Sequence, residues 1–168
     1  MNIIEKKDLN NAVERVLHVK GNYTGGILEM TLVIDAGLPK EYAASMAADI
    51  AATLRAHSEV FRNVRLNLLL FKSDRELENK VIPFSFLQMR SCFEDYRQVF
   101  EERSLDALTA ALKLFHARSK LILVLSKERF SIRDEEAVAQ NMKPFLGKKS
   151  LFLFMDDAEH KWRRGSEL

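Results

Sequence analysis

The run Ile27-Leu28-Glu29-Met30-Thr31-Leu32-Val33-Ile34-Asp35-Ala36-Gly37-Leu38-Pro39 limits the available folds more than any other stretch of the chain. A short apolar segment with β-branched residues ends in an aspartate, a glycine and a proline, and an alanine-rich helical pattern follows. That order describes a buried strand, a tight turn and a helix. In an open α/β sheet, ligands sit outside the carboxyl ends of the strands, which puts Asp35 where chemistry is usually found.

The rest of the chain repeats the pattern. Pro39 suits the first helical position because its missing N–H would have no partner there. Tyr42, Met46, Ile50 and Leu54 then form one stripe to about Ala56. Val64 to Phe71 is apolar nearly throughout its later half, which marks burial on both faces and makes a parallel βαβ unit with the first strand. Lys72-Ser73-Asp74 reads as a polar break, and Lys80 to Phe84 as a short antiparallel strand that Pro83 confines to a sheet edge. Phe86 to Glu102, with Leu87, Met89, Phe93, Tyr96, Val99 and Phe100, reads as helical or irregular. Ser104 or Asp106 opens a helix carrying Leu105, Leu108, Leu112 and Phe115, and Leu121 to Ser126 is the strongest strand. Glu135 to Leu146 is a helix with Ala137, Val138, Asn141, Met142 and Phe145 on one face and Gly147 as its stop. Leu151 to Met155 is the last strand, ended by Asp156-Asp157.

Ahead of the first strand, Asp8 to Val19 fits a helix capped by Asp8, with a strand from Val13 as the alternative. The Gly/Asn cluster from Lys20 to Gly26 precedes a strand, so it reads as a connecting turn and not as a phosphate cradle. The expectation is one three-layer α/β/α doubly wound domain over residues 1–168, with a mostly parallel, Rossmann-like sheet and one antiparallel edge strand. Its core spans about 27–157, with an N-terminal extension (1–26) and a C-terminal tail (158–168).

Composition narrows function more than fold. Hydrophobic residues make up 47% and charged residues 30% of 168, a globular balance. The net charge is only +2. The basic groups Lys143/Lys148/Lys149, Arg62/Arg65 and Lys161/Arg163/Arg164 are not interleaved with aromatics, so nucleic acid is not the expected partner. Trp162 makes the third group a candidate partner contact. Cys92 is the only cysteine, which excludes an intramolecular disulfide and a multi-cysteine metal site and suits a reducing cytoplasm. It reads as a buried small hydrophobe. No leader-like segment opens the chain and no apolar window approaches about 18 residues, so neither export nor a membrane span is expected. His18, His57, His116 and His160 lack ligand spacing and read as surface residues. Ser126 and Ser131 sit in no nucleophile elbow. Phe84, Phe86, Phe93, Tyr96 and Phe100 read as core or as a homodimer contact.

Taken in order, several segments resemble the von Willebrand factor A family. There the first core strand ends in Asp-x-Ser-x-Ser, the second is followed by a short antiparallel edge strand, a later helix begins near Thr-x-Leu-x-x-Ala-Leu, and the next strand ends in Thr-Asp-Gly. The counterparts here are Leu32 to Pro39, Leu69 to Asp74 with Val81 to Phe84, Asp106 to Leu112, and Leu123 to Glu128. The resemblance implies a metal-ion-dependent adhesion site, and the ligands depart from it almost everywhere. Asp35 is kept, Gly37 and Pro39 stand at the serines, Asp106 at the threonine, and Lys127 at the late aspartate. Mg²⁺ needs several oxygen ligands, and a lysine ammonium beside Asp35 would repel it, so no cofactor is expected. Asp35 capping the following helix or pairing with Lys127 is the plain alternative to a ligand role.

The functional expectation is an intracellular protein–protein interaction or scaffold module and not an enzyme. Its partner would meet the carboxyl-end loops, with Asp35, Gly37, Asp74, Asp106, Ser126 and Lys127 as candidate contacts. Two other readings remain open: a divalent-metal-dependent ligand binder using Asp35 and Asp106, and an enzyme of the doubly wound class, such as a hydrolase or phosphoryl-handling protein, built on Asp35.

Overall fold

The computed structural model describes residues 3–18, 28–55, 64–145, 149–156 and 161–164. In chain order the elements are α1 (Ile3–His18), β1 (Leu28–Asp35), α2 (Lys40–Arg55), β2 (Val64–Ser73) and β3 (Glu76–Ile82). Two 3₁₀ turns, Phe84–Gln88 and Arg90–Phe93, lead to α3 (Leu105–Phe115) and β4 (Leu121–Ser126). Then come α4 (Glu135–Met142), a 3₁₀ turn (Lys143–Phe145), β5 (Lys149–Phe154) and β6 (Arg163–Arg164). The strands form a six-stranded sheet in the order β3-β2-β1-β4-β5-β6. The four central strands are parallel, and β3 and β6 pair antiparallel at the two edges.

Side-chain alternation builds the layers. Met30, Leu32 and Ile34 share a cluster with Leu66, Leu68 and Leu70 and with Ala43, Ala47, Ile50 and Leu54 of α2. Leu9, Ala12 and Val13 of α1 join the same side. Val33, Leu69, Phe71, Ile122, Val124, Phe152 and Phe154 point the other way, against Leu105, Leu108 and Leu112 of α3 and Phe145. A period of two in a strand sends successive residues to opposite faces, so an apolar run fills both cores at once. Each fully buried Leu or Ile contributes about 1.5–3 kcal/mol by leaving water.

Four details correct the expectation. The N-terminal helix begins at Ile3, so Asp8 lies inside it and does not cap it. The edge strand starts at Glu76 and stops at Ile82. Ser73 Oγ accepts from the N–H groups of Arg75 and Glu76 (3.3 and 3.1 Å), so a tight hairpin starts the pairing at once. Pro83, which has no N–H to give a ladder, sits at the N-cap of the next 3₁₀ turn. A second antiparallel edge strand, β6, arises in the segment expected to be a tail, where Arg164 pairs with Leu151 and Arg163 with Phe152. Trp162 is 6% exposed and packs with the α2-side core, so it is not on offer to a partner. The Lys20 to Gly26 turn and Gly147 lie outside the described residues.

Candidate functional site

After β1 the chain passes to β2 on one side of the sheet, and after β4 it passes to β5 on the other. The carboxyl ends of β1 and β4 therefore form the switch point where α/β proteins usually open a ligand crevice. Asp35 ends β1 and Ser126 ends β4, because both apolar runs give way to polar residues there. Asp35 is 1% exposed.

Its carboxylate has about four lone-pair positions, and four groups engage them. Oδ1 accepts from the Gly37 N–H at 2.9 Å and meets Arg103 Nε at 2.5 Å. Oδ2 accepts from the Lys127 N–H at 3.0 Å and from the Ser126 hydroxyl at 3.2 Å. The Ser126 hydroxyl has a single proton and also faces the Glu128 carbonyl, so the two acceptors share it. The Arg103 side chain is only 11% exposed, and its Nε–H is not aimed at the oxygen. The contact is an ion pair by distance, without the alignment of a hydrogen bond.

The cation beside Asp35 is thus Arg103, while Lys127 meets the carboxylate through its main chain. Gly37 makes room for the guanidinium, since a Cβ at that position would overlap Arg103 Nη2. Residues 94–103 bring Arg103 in as a strap across the β1–α2 loop. Val99 N–H donates to Ala36 O at 2.8 Å and Gln98 Nε2 to Gly37 O at 2.9 Å. The Tyr96 hydroxyl donates to Leu38 O at 2.6 Å, and Asp35 O lies 3.3 Å from it. Burial, reinforced by the Asp35 charge, pushes the Tyr96 hydroxyl well above its ordinary pKa, so it remains a donor. Asp35 and Gly37 are buried beneath this strap, so a partner arriving at the rim meets the strap first.

Asp74 and Asp106 belong to a second cluster at the more exposed part of the rim. Asp74 accepts from Ser104 N–H (2.6 Å) and Ser104 Oγ (3.0 Å) and forms an ion pair with Arg133 Nη2 (3.1 Å). Ser104 is also the N-cap of α3, its Oγ accepting from Ala107 N–H at 3.2 Å. Arg133 pairs with Glu102 at 2.6 Å. Asp106 accepts from the N–H groups of Arg133 (2.8 Å) and Asp134 (3.0 Å), and the first of these holds its carboxyl below the usual range. Asp106 therefore fastens the β4–α4 loop to the start of α3.

These donor sets do not fit a divalent cation. Both oxygens of Asp35 and both of Asp106 already accept from N–H or O–H donors, Gly37 and Pro39 have no side-chain oxygen, and a guanidinium stands at the carboxylate. Among the described residues no group of three or more His, Cys, Asp and Glu side chains could hold a metal. No described helix is long and apolar enough to cross a membrane.

Of the expected site residues, Asp35, Gly37, Ser126 and Lys127 meet at one point, and Asp74 with Asp106 forms the neighbouring cluster. Sequence reasoning missed Arg103, Tyr96, Gln98 and Arg133, and the available signal was Gly37, a position kept free of a side chain beside a buried acid. The fold and this rim define an α/β protein with a mixed six-stranded sheet whose switch-point crevice is closed from within. Neither models of known protein families nor curated protein sequences give a match to the chain.

Proposed function

We propose that the chain is an intracellular protein–protein interaction or scaffold module of von Willebrand factor A-like fold, in which an internal ion pair replaces the metal-ion-dependent adhesion site. The observation that carries this reading is the Arg103–Asp35 contact of 2.5 Å at the switch point. A guanidinium there supplies the positive charge that a bound cation would supply, and it stands where a cation would have to approach the Asp35 carboxylate. An edge strand running antiparallel directly after β2 also agrees with the family resemblance.

The strap that carries Arg103 presents Phe100 at 81% exposure, and Ile132, between Ser131 and Arg133, is 41% exposed. Ser131 bridges to Ser104, and Leu105 N–H donates to Ser131 O at 2.8 Å, so both segments are held at the same rim. Exposed apolar side chains with charged sequence neighbours, here Glu101, Glu102 and Arg133, are common anchors of a protein contact.

The test compares wild type with Phe100→Asp and Ile132→Asp as bait in the chain's own cell, using cross-linking and mass spectrometry. The expected result is a defined protein held by wild type and lost by both variants at unchanged melting temperature. Capture that survives both substitutions, or that requires added Mg²⁺, would overturn the proposal.

A further inference from the structure

The β3 edge has β2 as its only strand neighbour among the described residues, and it is open to solvent. Val81 is 59% exposed, and the Lys80 side chain 42%. An open edge presents unpaired N–H and C=O groups, and its charges decide what can pair with it. In Glu76-Leu77-Glu78-Asn79-Lys80-Val81-Ile82, Glu78 and Lys80 share one face and flank Asn79.

We propose that β3 pairs antiparallel with β3 of a second copy about a two-fold axis at Asn79, extending the sheet across both subunits. Centring on Asn79 sets Glu78 opposite Lys80 twice and Leu77 opposite Val81 twice. Shifting the axis to residue 78 or 80 sets Glu78 against itself or Lys80 against itself, which opposes pairing. The charges therefore favour the Asn79-centred register over its two neighbours. Glu78 already holds two lysines on this face, Lys72 at 2.9 Å and Lys80 at 3.0 Å, so its carboxylate is oriented before a partner arrives.

The other face adds apolar cover. Asn79 Oδ1 accepts from His116 Nε2 at 2.5 Å, and the Phe115 ring, 59% exposed, lies 6.4 Å from the His116 ring. Val81 and Phe115 would both lose water on pairing. This surface is separate from the carboxyl-end rim and does not depend on the proposed use of that rim.

A charge exchange tests it by sedimentation equilibrium of the full chain. Wild type should dimerise, while Lys80→Glu and Glu78→Lys should each weaken the dimer at least about tenfold, because like charges then face each other. An equimolar mixture of the two variants should restore a heterodimer. The double exchange Glu78→Lys with Lys80→Glu should dimerise as wild type does, which covers misfolding of either single variant. A monomeric wild type, a dimer indifferent to the single exchanges, or a mixture and double exchange that both remain monomeric would each overturn the proposal.

Discussion

Replacing Arg103 with methionine keeps much of the side chain's length and apolar stem and removes its charge. Asp35, 1% exposed, then loses its cation but keeps the N–H groups of Gly37 and Lys127 and the Ser126 hydroxyl. Breaking a buried ion pair by removing one partner costs about 3–5 kcal/mol. The three retained donors place this site near the lower end, about 3 kcal/mol. For a domain of this size that is a fall of roughly 6–12 °C in Tm. Asp35→Asn should also destabilise, since it leaves the guanidinium buried and turns an amide donor toward the Gly37 or Lys127 N–H. Urea unfolding of wild type, both single variants and the double variant measures the coupling, which should be at least about 1.5 kcal/mol. A cost below about 0.5 kcal/mol for Arg103→Met, or strict additivity, would show that the two charges are not coupled in the folded state.

Gly37→Ala should cost about 1–3 kcal/mol, as overpacking in a closed site does, because the new Cβ displaces Arg103 Nη2; in an Arg103→Ala background denaturation should show most of that cost gone. Tyr96→Phe removes the hydroxyl that serves Leu38 O at 2.6 Å, and a loss of about 1–2 kcal/mol is expected by thermal unfolding. Burial, with Glu5 and Asp156 adding to it, pushes Tyr42 up to about 12, and Tyr96 is also raised. Their contribution to stability should be complete below about pH 10 and fade as pH rises from there through the folded values; native absorbance titration showing both ionising near 10 would contradict this. Burial holds the His116 imidazole below its ordinary pKa, with Glu29 opposing and Arg65 reinforcing the shift. Its contribution should be complete above about pH 6.5 and be lost as pH falls through the depressed value, a loss that His116→Gln should abolish in urea midpoints.

The sheet was legible because its central strands are nearly continuous apolar runs, and burial on both faces leaves few other assignments for Leu121 to Ser126 or Val64 to Phe71. Asp35 was legible as the residue where such a run stops. Arg103 was not, because it lies 68 residues further on in a segment without period, and its approach to Asp35 depends on main-chain bonds from Val99 and side-chain bonds from Tyr96 and Gln98. Lys127 was the nearer candidate by pattern, and the structure uses its main-chain N–H. Trp162 misled for a similar reason: surrounded by charged neighbours in sequence, it is nonetheless carried into the core by the two-residue β6. The four histidines read alike on spacing alone, yet His116 is 4% exposed because Asn79 of the edge strand takes its Nε2–H.

Soaking crystals of the protein in manganese and collecting anomalous diffraction would test the closed crevice most directly. The expected result is Arg103 Nε against Asp35 Oδ1 and no anomalous peak at the ends of β1 and β4. A manganese peak ligated by Asp35, with the guanidinium turned out toward solvent, would contradict it.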